Sequence, residues 1–242
     1  MDIPTQPSDA LFVHPPTGVD FSPESQERLE ALGAVQETVQ AQHPEIIGLT
    51  CYGSTARGEA GPDSDVDVFA LVEVDPNATV QNNPRVDPAD RLQIAPDDQP
   101  RAGTYGFHGG IDADYKMALV RAGEQQGLLA MDIDILPISP DIVDDQATQL
   151  LEDIRQGKEG TALAVPRNIR SLFHLPVGET KVGSYAAQVI NKLASDPAGE
   201  ESWHAIRHMV VGFENGRDKQ GQEPSHRQIP KTLAEAQTFY AQ

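Results

Sequence analysis

The residues best suited to chemistry lie in one short stretch, GSTARGEAGPDSDVD, which runs from Gly53 to Asp67. Its Gly-Ser start follows an apolar run, and such a turn presents backbone N–H groups and a hydroxyl to phosphate oxygens. Asp65 and Asp67 stand two residues apart, and the alternation of side chains along a strand points both carboxylates to one side. Carboxylates held that close repel each other unless a cation lies between them, and Mg²⁺ binds through one or two carboxylates plus phosphates. The stretch therefore predicts a joint site for Mg²⁺ and phosphate groups.

Three apolar runs must position these residues. Ile46 to Tyr52 predicts a strand that ends at Gly53, Val66 to Val74 predicts a second strand, and Leu128 to Ile138 contains a third. The second run is apolar at both alternating positions, which is typical of a strand buried on both faces. Ionised carboxylates at the start of a buried strand need a cation or strong donors, which favours the metal-binding interpretation.

Helical spacing of apolar residues marks most of the remaining chain. It predicts a helix from Pro23 to about Gln42 with Ser22 as its N-cap, and further helices over 111–126, 141–156, about 183–196, about 200–215 and 231–241. We therefore expect three parts. They are an irregular arm (1–22), an α/β (α+β) domain with a short mixed sheet (23–140, with a long insertion at 75–127), and an α-helical C-terminal domain (141–242).

The Gly-Ser pair, the ten residues after it and the Asp-x-Asp strand resemble the signature of the DNA polymerase β-like nucleotidyltransferase superfamily. The pattern GSTARG...SDVDV is most similar to the small prokaryotic branch, the minimal nucleotidyltransferases. That superfamily carries a third carboxylate on a neighbouring strand, and this chain offers two candidates in AMDIDILPIS. The Leu-Pro ending after Asp134 favours Asp134, and Asp132 is the alternative.

The resemblance implies metal-dependent transfer of a nucleoside monophosphate from an NTP, with ATP the expected donor, to an acceptor hydroxyl. By the same resemblance, Gly53 and Ser54 hold the β- and γ-phosphates. Asp65 and Asp67 hold the Mg²⁺ of the NTP. Asp134 completes a two-metal site and acts on the acceptor hydroxyl, after which pyrophosphate leaves.

Basic residues near and beyond this site have two interpretations each. Arg57 either offsets triphosphate charge or pairs with a nearby acid, Glu59 or Asp63. Residues 154–195 contain six basic and two acidic side chains, a local excess that either receives an anion or is surface charge paired with acids. If an arginine outside the turn contacts phosphate, we expect the pair Arg167 and Arg170, which are three apart and share one helix face.

Other candidate residues favour structural interpretations. His204 and His208 have the spacing of two metal ligands, but Ala205 stands where the zincin pattern requires a glutamate, which favours surface or packing roles. His108 lies in a glycine-rich turn that is either a lid or a connection. Cys51, the single cysteine, is expected to be a buried apolar residue rather than a nucleophile.

Composition limits the class of partner and the location. With 37 acidic and 18 basic residues the net charge is -19, which disfavours a general binder of duplex nucleic acid. One cysteine rules out an intramolecular disulfide, and the sequence shows neither a signal peptide nor a membrane span, so we expect a cytoplasmic protein without a membrane partner.

The acceptor is the open question at this stage. An acidic cleft suits a small polycationic acceptor of the aminoglycoside kind, and protein side chains are the acceptor of antitoxin-type AMP-transferases. RNA-tailing relatives need a basic groove, which only residues 154–195 provide. A non-catalytic nucleotide-binding or toxin-neutralising partner is the alternative of another class, and the presence of all three carboxylates argues against it.

Overall fold

The computed structural model describes residues 21–74, 111–128, 130–158, 165–178, 180–215 and 229–240. The strands in these ranges are β1 (Ile46–Tyr52), β2 (Val66–Glu73), β3 (Met131–Ile138) and β4 (Leu175–Val177). The helices in the same ranges are α1 (Pro23–Gln42), α2 (Gly53–Ala56), α3 (Ile111–Gln125), α4 (Pro140–Arg155), α5 (Arg167–Ser171), α6 (Val182–Ala194), α7 (Gly199–Asn215) and α8 (Leu233–Tyr240). Most of the predicted N-terminal arm, and the first part of the insertion with His108, lie outside the described residues.

The predicted long helices and strands are confirmed, and their ends have local causes. The hydroxyl of Ser22 caps α1 by accepting a hydrogen bond from the backbone N–H of Ser25 at 3.1 Å. Ser139 caps α4 in the same way, by accepting from the N–H of Ile142. Apolar periodicity does not identify α5 and β4, because five and three residues are too few to show a period.

The four strands form one sheet in the order β3-β2-β1-β4. This agrees with the short mixed sheet that the sequence predicted. β1 runs antiparallel to β2 and β4, whereas β2 and β3 are parallel and are connected through α3. In this register Asp67 lies between Tyr52 of β1 and Asp132 of β3. Phe69, the next residue on the same side of β2, lies opposite Asp134. The sheet therefore gathers the predicted acidic residues at one end.

The two faces of the sheet pack against different helices. On the first, which we call the α1–α3 face, Val68 and Ala70 pack with residues of α1 and α3 such as Leu32 and Leu119. On the second, the C-terminal-helix face, Phe69, Leu71 and Leu136 pack with α4, α6, α7 and α8. Alternation along β2 and β3 places Asp67, Asp132 and Asp134 on the C-terminal-helix face.

The chain on both sides of residue 140 contributes to one core. Trp203 of α7 and Val189 of α6 belong to the same buried cluster as Phe69 of β2. β4 also comes from beyond residue 140 and pairs with β1. The C-terminal part therefore completes the sheet and covers its C-terminal-helix face. The domain boundary at residue 140 stays a prediction.

Within the described ranges, no helix combines the length and the apolar character that crossing a membrane requires. Cys51 is a free cysteine buried on the α1–α3 face, as predicted.

Candidate active site

The Gly-Ser turn and the first predicted metal ligand are in contact. β1 ends at Tyr52, and Gly53 turns the chain into α2 with a φ of 72°, in the left-handed region that glycine adopts without strain. A Cβ atom at position 53 would collide with Oδ2 of Asp67. Position 53 thus favours glycine for its backbone, and any side chain there would displace the carboxylate of Asp67, which lies directly against the turn.

Asp67 is electrostatically coupled to two other carboxylates. Burial raises the pKa of Asp67 to about 6, the charges of Asp65 and Asp132 act in the same direction, and the charge of Arg57 opposes them. Asp65 is exposed just before β2 begins, whereas Asp67 is half-buried. This mutual repulsion is what a bound divalent cation would relieve, since it favours the ionised form of every carboxylate around it.

The two candidates for the third carboxylate occupy different positions. Asp132 lies directly beside Asp67 in the parallel register, and of the two it is the one whose charge raises the pKa of Asp67. Asp134 lies one step further along the strand, where its Oδ2 forms an ion pair with Nη2 of Arg167. The geometry therefore favours Asp132, whereas the Leu-Pro ending in the sequence favoured Asp134.

The donor set fits a hard cation such as Mg²⁺. In the part of the chain that the structure describes, no three histidine, cysteine or carboxylate side chains converge tightly enough to enclose a metal ion by themselves. Mg²⁺ usually keeps several waters and takes one or two carboxylates plus substrate phosphates. The oxygens of Asp65 and Asp67 beside a phosphate-binding turn meet that requirement.

The three predicted arginines differ in how they are held. Arg57 donates from Nε to Glu59 at 3.0 Å, which is one of the two partners that the sequence suggested. Arg167 is exposed and pairs with Asp134. Arg170 is 6% exposed, and its guanidinium carbon lies 5.9 Å from the centroid of the Phe69 ring. Of the pair on α5, only Arg167 presents its charged group to the solvent side of the site.

The basic segment at 154–195 is largely paired with acids. Five of its six cations contact a carboxylate, and the pairs are Arg155 with Glu152 and Asp196, Lys158 with Asp153, Arg167 with Asp134, Lys181 with Glu73, and Lys192 with Asp144. The sixth is the buried Arg170. This arrangement agrees with the surface-pairing interpretation for most of the segment and leaves Arg167 as the cation at the site.

Sequence reasoning missed an aromatic group beside the carboxylates. The ring of Tyr52 stacks on Phe69 at 4.5 Å between centroids, and the buried His174 lies 5.5 Å from Tyr52. Burial raises the pKa of the Tyr52 hydroxyl above its usual range, and Asp134, Asp67 and Asp132 add to the effect. The position of Tyr52 directly before Gly53 was a usable signal, whereas nothing in the sequence connected His174 to the site.

The remaining candidates are two histidines of α7. His204 and His208 are both exposed on α7, and Nε2 of His204 lies 3.3 Å from Glu200. This placement agrees with the surface role expected for them.

Comparison with known proteins identifies the family. No curated protein and no solved structure matches the chain significantly. The model of a family described as nucleotidyltransferase domain matches residues 32–170, which is more than half of the 242 residues. This range contains the Gly-Ser turn, all four candidate carboxylates and Arg167. The chain therefore belongs to the nucleotidyltransferase domain family.

Proposed function

We propose that this chain transfers a nucleoside monophosphate from an NTP, with ATP the expected donor, to an acceptor hydroxyl. The observation that carries the proposal is the close approach of the Asp67 carboxylate to Gly53, which joins a phosphate-binding turn to a metal-binding carboxylate. Membership of the nucleotidyltransferase domain family supports nucleotidyl transfer as the general reaction.

In the proposed reaction, Ser54 and the backbone of the turn hold the β- and γ-phosphates, while Asp65 and Asp67 bind Mg²⁺. When bound, the metal stabilises negative charge on the attacking and leaving oxygens of an in-line displacement. The acceptor oxygen forms its bond to the α-phosphorus as the bond to pyrophosphate breaks. The acceptor proton passes to a third carboxylate, which we assign to Asp132 on its register beside Asp67, with Asp134 as the alternative.

Arg167 is the arginine best suited to contact the triphosphate. Its guanidinium is exposed, and its present partner is a carboxylate of the same site. A triphosphate carries more negative charge than one carboxylate and likewise accepts paired hydrogen bonds from a guanidinium, so Arg167 can exchange Asp134 for phosphate oxygens. The buried Arg170 packs against the ring of Phe69, which lies opposite Asp134 in the sheet. Arg57 partly offsets the charge at Asp67.

We infer that the acceptor is a small molecule or a protein side chain rather than RNA. The cations of residues 154–195 are mostly committed to carboxylates, which argues against a basic groove there. The net charge of -19 suits a cationic acceptor. We also expect a cytoplasmic location, because a chain with one cysteine fits a reducing compartment.

A pyrophosphate-release assay tests this proposal. Wild type is incubated with Mg²⁺, each of the four NTPs and a panel of aminoglycosides, toxin-like proteins and RNA. We expect acceptor-dependent release that Asp67→Asn abolishes and that the control Asp114→Asn, an exposed acid on α3, leaves unchanged. Binding of Mg²⁺-NTP without transfer to any acceptor would instead favour a non-catalytic nucleotide-binding partner. Transfer that survives Asp67→Asn would refute the assigned site.

A further inference from the structure

The loop between α2 and β2, residues 57–65, joins the phosphate-binding turn to the metal-binding carboxylates, and the start of α1 holds it. The backbone N–H of Ser22 donates to the carbonyl of Gly58 at 2.9 Å. The hydroxyl of Ser22 lies 2.8 Å from the carbonyl of Ala60, and the N–H of Ala60 donates to Oγ of Ser25 at 2.9 Å. Serine side chains thus satisfy both backbone polar groups of Ala60.

Two further contacts flank this anchor. Gly58 has a φ of 73°, and a Cβ atom there would lie 3.0 Å from the ring of Phe21. Nη2 of Arg28 donates to the carbonyl of Pro62 at 3.1 Å. The N-terminal end of α1 and the residue before it therefore hold the 57–65 loop at positions 58, 60 and 62.

Helix formation alone does not require these bonds. An N-cap residue needs only an acceptor, and Ser22 supplies it to the N–H of Ser25 at 3.1 Å. Its donation to Ala60 is additional, and it leaves the hydroxyl hydrogen of Ser25 to join the two serine oxygens, which lie 2.9 Å apart. Ser25 is fully buried in the first turn of α1, where a small apolar residue would preserve the helix but leave the N–H of Ala60 without its acceptor.

We propose that Ser22 and Ser25 are positioning residues for nucleotidyl transfer. They fix the 57–65 loop against α1, so that Ser54 and Asp65 keep one separation and can engage the phosphates and the metal of a single Mg²⁺-NTP together. The proposal rests on the function proposed above. The loop has turn hydrogen bonds of its own, such as that from the N–H of Glu59 to the carbonyl of Ser54 at 3.0 Å, and the tether to α1 adds bonds that join its positions 58, 60 and 62 to a long helix.

A pair of substitutions of equal size separates the tether from the helix cap. Asp and Asn are both good N-caps, but ionised Asp has no donor for the carbonyl of Ala60, whereas Asn has one. We therefore compare Ser22→Asp with Ser22→Asn, and Ser25→Ala with the control Thr38→Ala. Thr38 lies in the same helix, and its hydroxyl bonds only within α1, to the carbonyl of Ala34 at 2.8 Å.

The first measurement is hydrogen–deuterium exchange of residues 57–65 in the metal-free protein. We expect exchange about tenfold faster in Ser22→Asp and Ser25→Ala, since each loses one hydrogen bond of the tether. Ser22→Asn and Thr38→Ala should exchange like wild type. The second measurement is the Mg²⁺ concentration for half-maximal transfer, which we expect to rise about tenfold in the same two variants.

Wild-type exchange of the loop in Ser22→Asp and Ser25→Ala would overturn the proposal. So would faster exchange with an unchanged Mg²⁺ dependence, because the serines would then be purely structural. If wild type transfers nothing, the proposed function fails by itself. In that case calorimetric titration with Mg²⁺-NTP replaces the rate measurement, so the two failures are distinguishable.

Discussion

The two faces of the sheet are made by the same strands, yet they differ in chemistry. On the α1–α3 face, the β2 positions Val68 and Ala70 are fully buried and apolar. On the C-terminal-helix face the centre is equally apolar, but one end carries Asp67 beside Asp132, with Tyr52 next to them. Because β2 runs into this end from the 57–65 loop, the carboxylates stay close to solvent while their neighbours on the strand are buried.

The difference shows where the fold gives up stability for function. Burial and the charges of its neighbours raise the pKa of Asp67, so its ionised carboxylate opposes folding until a cation binds, and perturbed carboxylates of this kind are typical of functional sites. The α1–α3 face has no such conflict among its strand residues, so its role is to support the other face. Substitutions that act on one face only test this contrast.

Apart from the loss of Asp67 itself, the largest effect should come from the third carboxylate. We expect Asp132→Asn to reduce the transfer rate by more than the roughly 10- to 100-fold that loss of an outer partner of a metal site costs, and Asp134→Asn to reduce it less. The reason is that Asp132 lies beside Asp67, whereas Asp134 is paired with Arg167. Steady-state kinetics of both variants compare the two transfer rates. A larger loss of rate in Asp134→Asn than in Asp132→Asn would restore Asp134, which the sequence favoured, as the third carboxylate.

The second-largest loss of activity is expected on substitution of Gly53, which lies in contact with the Asp67 carboxylate. Gly53→Ala and Gly127→Ala both force alanine into a left-handed conformation, which costs about 1–2 kcal/mol in each. Only the Cβ at position 53 meets Asp67, since nothing lies within 4 Å of a Cβ at Gly127. We therefore expect similar losses of unfolding free energy, measured by urea titration, but a loss of activity of about 100-fold in Gly53→Ala alone. Equal activity in the two variants would show that the contact has no catalytic importance.

The sequence identifies candidate site residues more readily than their arrangement in space. A short local pattern contains both the Gly-Ser turn and the Asp-x-Asp strand, so the sequence alone predicts them. The apolar runs predict the approximate ends of β1 and β2. The choice between Asp132 and Asp134 was not readable, since both point to the same side and only the register of β2 with β3 separates them.

Contacts between distant parts of the chain explain what else was missed. β4 is three residues long and becomes a strand only because β1 offers it an edge. His174 reaches the aromatic group through the same pairing, and the tether from Ser22 to Ala60 joins residues 38 apart in the chain. No periodicity encodes such contacts, so the sequence could predict Ser22 as a cap but not as a tether.

A smaller effect is expected at Arg167, on the solvent side of the candidate site. Arg167→Ala should raise the KM for NTP about tenfold, because a charge-assisted hydrogen bond to phosphate is lost. Arg155→Ala is the matched control, since Arg155 is similarly exposed and also pairs with acids, at 45% against 55% side-chain exposure. The KM of the control should stay at the wild-type value. If KM is unchanged in Arg167→Ala as well, the arginine serves only its ion pair with Asp134.

The smallest effect is a gain of stability in the metal-free protein. The folded-state pKa of Asp67 is about 6, above the roughly 3.9 of an unfolded chain, so the fold is favoured by the protonated form and loses stability as pH rises through 6. Asn has no charge to bury. We therefore expect metal-free Asp67→Asn to melt about 2–4 °C above wild type at pH 7.5, with allowance for solvent screening of the half-buried carboxylate.

This gap in melting temperature should narrow as pH falls and close at about pH 3, below both pKa values, where the wild-type carboxyl is protonated in the folded and the unfolded state. Mg²⁺ should reverse it at pH 7.5, because the cation stabilises only the protein that keeps the carboxylate. Calorimetric melting with EDTA and with Mg²⁺ tests both statements, and Asp114→Asn on the supporting side of the sheet should show neither. A variant less stable than wild type at pH 7.5 without metal would contradict the contrast between the faces, because the carboxylate would then stabilise the fold instead of opposing it.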